Sequence, residues 1–188
     1  EEPRGAIMEW FAKWKKGTKP LLIVGPPGIG KTTIAFLLAK QFGYDMIGLN
    51  ASDVRSKSRI NEILTPVLGN VSVLGTPMIF VDEVDGIHGR GDYGGAAALV
   101  DILKKSNVPI LLAANYDDSD KMKSIKKTVT TISFKKIPPR LLRVYLDNIL
   151  EKENEKLSPG SLIKVIDKSK GDIRSMINLT QSLITGFN

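Results

Sequence analysis

The chain contains no cysteine and only one histidine in 188 residues. Without cysteine there are no disulfides and no thiolate zinc sites. With a single histidine, a metal site built on imidazoles is not expected. No apolar run approaches the roughly 20 residues that a membrane-spanning helix requires. The opening residues, Glu1-Glu2-Pro3-Arg4, lack the basic-then-apolar pattern of a secretory signal. These absences predict an intracellular protein with no membrane partner.

What is present is ample for a packed core. Hydrophobic residues make up 42% of the chain, and the length allows one domain or two small ones. The formal net charge is +7. That excess is compatible with a nucleic-acid partner and equally with lysines that are simply solvated.

Periodicity divides the chain into two parts. Ile7, Trp10, Phe11 and Trp14 recur at helical spacing, and Gly17 and Pro20 end that helix. Apolar runs at Leu21–Val24, Met46–Leu49, Met78–Val81 and Pro109–Ala113 read as strands, and Thr130–Phe134 alternates as a fifth. Helices are expected between them, at about Lys31–Phe42, around Ile60, Ile63, Leu64, Val67 and Leu68, at Ala96–Lys105 and at Asp120–Lys126. Strands alternating with helices imply a parallel sheet covered on both faces. The alternation stops at Pro138-Pro139, and an all-helical tail follows. Its expected apolar faces are Leu142, Tyr145, Leu146, Ile149 and Leu150, then Ile173, Met176, Ile177, Leu183 and Ile184. Ser158-Pro159 reads as a cap with proline at the first helical position. The expected division is an α/β core over residues 1–136 and a small helical domain over 137–188.

The most specific motif is GPPGIGKTT: Gly25, Pro26, Pro27, Gly28, Ile29, Gly30, Lys31, Thr32 and Thr33. It follows a strand and opens a helix, the context that a phosphate-binding loop requires. Glycines let the backbone curl so that N–H groups point inward, and the helix adds its positive end. Lys31 would reach β- and γ-phosphates, and Thr32 would place a hydroxyl on Mg²⁺.

A second element is acidic. Asp82 ends a buried strand, at the edge where open α/β sheets bind ligands, and is the expected Mg²⁺ partner. Glu83 would orient or deprotonate an attacking water. Asn115 ends the neighbouring strand, where its amide would face the γ-phosphate or that water. Asp85, His88 and Asp92 are expected to belong to a glycine-loosened loop without chemistry. Arg174 shares the polar face of the last helix with Asn178 and Gln181. Solvent and a nucleotide covered by a helical lid are both destinations for it.

Together these elements resemble the AAA+ ATPases, and more narrowly the clamp loaders. The markers are GPPGIGKTT, LNASD at Leu49–Asp53, FVDEVD at Phe80–Asp85, AAN at Ala113–Asn115 and GDIRSMINLTQSL at Gly171–Leu183. The acidic, glycine-rich loop after FVDEVD resembles that of large subunits in the replication factor C family. Checkpoint-type loaders and other AAA+ DNA-processing motors share parts of the pattern, and a non-enzymatic ATP-binding module is a further alternative. Where the family's small subunits carry an arginine for a neighbour's site, this chain has Lys127-Thr128-Val129. That departure implies a subunit that receives an arginine and does not donate one.

The resemblance implies a P-loop AAA+ five-stranded parallel sheet followed by a helical lid, with ATP and Mg²⁺ as cofactors. It implies a clamp-loading ATPase whose partners are replication factor C small subunits, a sliding clamp and primer–template DNA. Catalytic roles fall to Lys31, Glu83, Asn115 and Arg174, and metal binding to Thr32 and Asp82. Arg55, Lys57, Arg59, Arg90, Lys104 and Lys105 are the candidates for phosphate contacts on DNA, and Val67–Gly75 for the clamp. The family's collar domain is expected to be absent from this chain. The compartment would be cytoplasm in an archaeon and nucleus in a eukaryote.

Overall fold

The computed structural model describes residues 3–50, 62, 76–87 and 95–186. The residues pack as two units. One comprises Glu1–Val24 and Lys31–Phe134, the other Gly25–Gly30 and Lys135–Asn188.

The first unit is built on five parallel strands: β1 (Leu21–Val24), β2 (Tyr44–Asn50), β3 (Thr76–Asp82), β4 (Ile110–Ala114) and β5 (Thr130–Ser133). Their spatial order is β2-β3-β4-β1-β5. The helices of this unit are α1 (Pro3–Lys13), α2 (Lys31–Gln41), α3 (Gly95–Lys105) and α4 (Asp120–Lys126). β1 and β4 are buried along their whole length, as strands covered on both faces must be. β2 and β5 are the edges and keep exposed positions.

Alternation of side chains across each strand sorts the core into two layers. Leu21, Ile23, Met78, Phe80, Leu111 and Ala113 pack with Ile7, Trp10 and Phe11 of α1 and Ala35, Leu38 and Ala39 of α2. Their alternates Leu22, Val24, Ile79, Val81, Leu112 and Ala114 pack with Leu99 and Leu103 of α3 and Met122 and Ile125 of α4. The expected aromatics at Trp10 and Phe11 are therefore core. Trp14 lies past the end of α1, half-buried, edge-on to Tyr44. Trp10 Nε1 donates to the Lys19 carbonyl at 2.9 Å, which fastens the chain just before β1.

The strands expected from the sequence are all present, and β2 is longer at both ends than Met46–Leu49. As an edge strand it needs no continuous apolar run, so its flanking residues carried no signal. The helix expected around Ile60, Ile63, Leu64, Val67 and Leu68 lies outside the described residues. So do His88 and Asp92.

In the second unit three helices, α5 (Pro139–Lys152), α6 (Pro159–Ser169) and α7 (Ile173–Thr185), pack around Leu142, Leu146, Leu150, Leu162, Val165, Ile166 and Met176. Ser158 caps α6 by accepting the N–H of Ser161 at 3.2 Å, as its sequence signature predicts. Two expected faces are corrected. Tyr145 is exposed, whereas Leu142, Leu146 and Leu150, spaced i, i+4, are the α5 residues buried in the helical core. On α7, Ile177 and Leu183 are exposed, and Thr180 is buried in their stead. Thr180 is tolerated there because its hydroxyl donates to the Met176 carbonyl at 2.8 Å. No helix among the described residues is long and apolar enough to cross a membrane.

Candidate functional site

Parallel strands bring their carboxyl ends to one edge, and three of them place polar residues there. β3 ends at Asp82, beside Asn50 in the register of β2. Asn115 follows β4 directly, and β4 lies between β3 and β1.

Two pairs of residues distant in sequence meet at this edge. The ammonium of Lys31, at the first position of α2, donates to Asn115 Oδ1 at 2.8 Å. Lys31 is 7% exposed, which is unusual for lysine and demands polar company. The hydroxyl of Thr32 donates to Asp82 Oδ2 at 2.6 Å. The other carboxylate oxygen of Asp82 accepts the backbone N–H of Glu83 at 2.9 Å.

Glu83 itself is exposed and has a left-handed backbone, φ 54° and ψ 40°. For a residue with a Cβ that conformation costs about 1–3 kcal/mol and persists only where the surroundings enforce it. Here the enforcement is local. A short 3₁₀ turn at Val84–Gly86 starts at once, the Gly86 N–H donates to the Glu83 carbonyl at 2.7 Å, and Val84 and Ile87 are buried.

Asp85, expected to be a loop residue without chemistry, lies in that turn and has a structural partner. Its Oδ1 accepts the backbone N–H of Asn115 at 3.1 Å. The turn after β3 is thereby tied to the end of β4, and the sequence offered only a third acid in FVDEVD as a hint.

The loop Gly25–Gly30 packs with the helical unit. Gly28 and Gly30 have φ of +70° and +90°, values that glycine adopts without penalty. The Gly28 carbonyl accepts the N–H of Ile173 at 3.0 Å. Arg174 is the next residue, in the first turn of α7, so its backbone lies alongside the loop. Its side chain is exposed, as are Asn178 and Gln181.

The donor set fits Mg²⁺. A hydroxyl and a carboxylate oxygen lie side by side at Thr32 and Asp82, and Mg²⁺ takes few protein oxygens while keeping water and phosphate ligands. Among the described residues no three of His, Cys, Asp and Glu gather as a metal cluster.

Of the candidate DNA contacts, Arg55, Lys57, Arg59 and Arg90 lie outside the described residues, as does Val67–Gly75. Lys104 and Lys105 are exposed in the last turn of α3. Lys105 is paired with Asp101 one turn back at 2.9 Å, an exposed pair of little energetic weight. Lys127-Thr128-Val129 leads into β5, with Val129 buried and the Thr128 hydroxyl donating to the Ile125 carbonyl.

The chain is similar to known proteins along nearly its whole length. Residues 21–154 match the profile of the ATPase family associated with various cellular activities, AAA. The chain is 41% identical to a protein of Thermofilum pendens named replication factor C large subunit, over 99% of the chain and 46% of that protein. It is 38% identical to a protein of the same name from Methanosphaera stadtmanae, over 96% of the chain and 35% of that protein. With replication factor C subunit 1 of Saccharomyces cerevisiae it shares 33% identity, over 97% of the chain and 25% of that protein. The chain thus spans less than half the length of these curated relatives.

Proposed function

The chain belongs to the AAA ATPase family, and from that premise we propose that it is the ATP-binding and hydrolysing part of a replication factor C large subunit. In this reading it uses ATP to help open a sliding clamp and place it on primer–template DNA, together with replication factor C small subunits. The observation that carries the reading is the convergence at one sheet edge of Lys31 with Asn115 and of Thr32 with Asp82. The names of the relatives point the same way.

The roles follow from the chemistry of each group. The N–H groups of Gly25–Thr33 and the positive end of α2 cradle the phosphates. Lys31 exchanges its bond to Asn115 for β- and γ-phosphate oxygens. Thr32 and Asp82 would hold Mg²⁺, which supplies positive charge beside those oxygens. Glu83 accepts the proton of a water whose oxygen attacks the γ-phosphorus, while the bond to the β–γ bridging oxygen breaks and ADP leaves. Asn115, released from Lys31, orients that water or the γ-phosphate. Arg174 adds charge to the phosphates from the helical unit.

Between Asn115 and Pro139 the chain has no arginine. A subunit of this kind receives an arginine from a neighbour and donates none. Such an arginine contributes about 10³–10⁵ in rate, so the chain alone binds ATP and turns it over slowly. DNA is held through its phosphates without reading sequence, with Arg55, Lys57, Arg59, Arg90, Lys104 and Lys105 as the contacts. Val67–Gly75 is the stretch that meets the clamp.

The test is capture of a purified sliding clamp by this subunit assembled with its small subunits, with and without ATP. Clamp retained only with ATP is the expected result. Capture that ignores nucleotide would overturn the reading.

A further inference from the structure

Of the loop glycines Gly28 and Gly30, the second has open space beside it and the first has none. A methyl group built on Gly28 would overlap the carboxylate of Asp172. Swinging that carboxylate aside would cost the cap of α7. Its Oδ1 accepts the N–H of Ser175 at 2.9 Å and so caps α7. Alongside it, the Ile173 N–H donates to the Gly28 carbonyl at 3.0 Å. Behind it, Gly171 (φ +96°) backs onto the chain that enters α5. A Cβ there would sit 3.3 Å from the Ile137 carbonyl oxygen and from the Lys136 Cβ. Gly171-Asp172 is therefore wedged between Lys136-Ile137 and the phosphate loop, all within one packed unit.

The wedge has a consequence for the loop's N–H groups. A trans peptide is planar, so the C=O of one residue and the N–H of the next point in opposite directions. No peptide bond described here is cis. Fixing the Gly28 carbonyl toward Ile173 therefore turns the Ile29 N–H away from α7. The left-handed backbone of Gly28 is held by the same contact.

We propose that Asp172 is a positioning residue for the phosphate loop. It touches no phosphate. As the cap of α7 it closes the space over Gly28, keeps that residue left-handed and, with Ile173, aims the Ile29 N–H at an anion. Nucleotide affinity is thereby tied to the first turn of the helix that carries Arg174. The proposal rests on reading Gly25–Thr33 as a nucleotide site.

The experiment is titration of the 188-residue chain with a fluorescent ATP analogue and Mg²⁺, using wild type, Gly28→Ala, Asp172→Ala, Asp172→Asn and Gly28→Ala/Asp172→Ala. Loss of the cap weakens binding about fivefold in Asp172→Ala. Asp172→Asn stays near wild type, because asparagine caps as well as aspartate. Gly28→Ala weakens binding by more than about tenfold through strain and overlap. The double variant binds no worse than Gly28→Ala, because removing the carboxylate makes room for the methyl group. Asp172→Ala at wild-type affinity, Asp172→Asn as weak as Asp172→Ala, or losses that simply multiply would each overturn the proposal while leaving the nucleotide site standing. A wild-type chain that binds no nucleotide would instead overturn the site itself. Should Asp172→Ala fail to fold, Gly28→Ala with and without Asp172→Asn still reads the coupling: asparagine leaves the overlap in place, so no relief is expected, and relief would overturn the proposal.

Discussion

Asp85 Oδ1 accepts the backbone N–H of Asn115 at 3.1 Å, and Asn115 Oδ1 in turn accepts from Lys31 at 2.8 Å. An acid outside the expected catalytic set thus fixes the residue that meets the phosphate-loop lysine. Asp85→Ala is predicted to lower single-turnover ATP hydrolysis by about 10- to 100-fold, the value of a hydrogen bond to a charged group, with nucleotide affinity little changed. Asp85→Asn, which still accepts at Oδ1, restores most of the loss. Wild-type hydrolysis by the alanine variant would refute the link.

Glu83→Gln keeps the shape of the side chain and removes its ability to take a proton. ATP binding is expected to survive, and turnover in the assembled complex to fall by about 10²–10⁴-fold. Unchanged turnover there would show that Glu83 is not the base.

Thr32→Ala and Asp82→Asn each disturb the oxygen pair proposed for Mg²⁺. Wild type is expected to bind ATP more tightly with Mg²⁺ than with a chelator. In the variants that difference shrinks, while the chelator-measured affinity stays close to wild type. A variant that keeps the full Mg²⁺ response would remove its residue from the metal site.

Leu146 is fully buried in the helical unit, and its neighbour Tyr145 is 46% exposed. Leu146→Ala should cost about 2–5 kcal/mol, and Tyr145→Ala within about 0.5–1 kcal/mol. Helical circular dichroism through a denaturant series measures both. Tryptophan fluorescence does not suffice, because Trp10 and Trp14 both belong to the sheet unit. Equal losses would contradict the packing of α5.

Arg55→Glu tests the DNA contact. Removal of one phosphate contact should weaken binding to primer–template DNA and lower the slope of log affinity against log salt by about one. An unchanged slope would exclude Arg55 from the interface.

The sequence by itself determined the parallel sheet, the helical tail and the glycine-rich loop motif, and it singled out Lys31, Thr32, Asp82, Glu83 and Asn115 as candidates. Those signals are local. A buried parallel strand must be apolar throughout, a phosphate loop needs its glycines at fixed spacing, and a strand ending in two acids stands out. Periodicity was less reliable for which turn of a helix faces inward, because that depends on the neighbours. Tyr145, Ile177 and Leu183 share the helical period of their buried neighbours and are nonetheless exposed. What only the tertiary structure decided were pairings between residues far apart in the chain. Asp85 reaches Asn115, and Gly28 leaves room for the cap of α7, because strands and loops that are remote in sequence end side by side. No spacing rule encodes such contacts, since each depends on where two separate backbones come to rest.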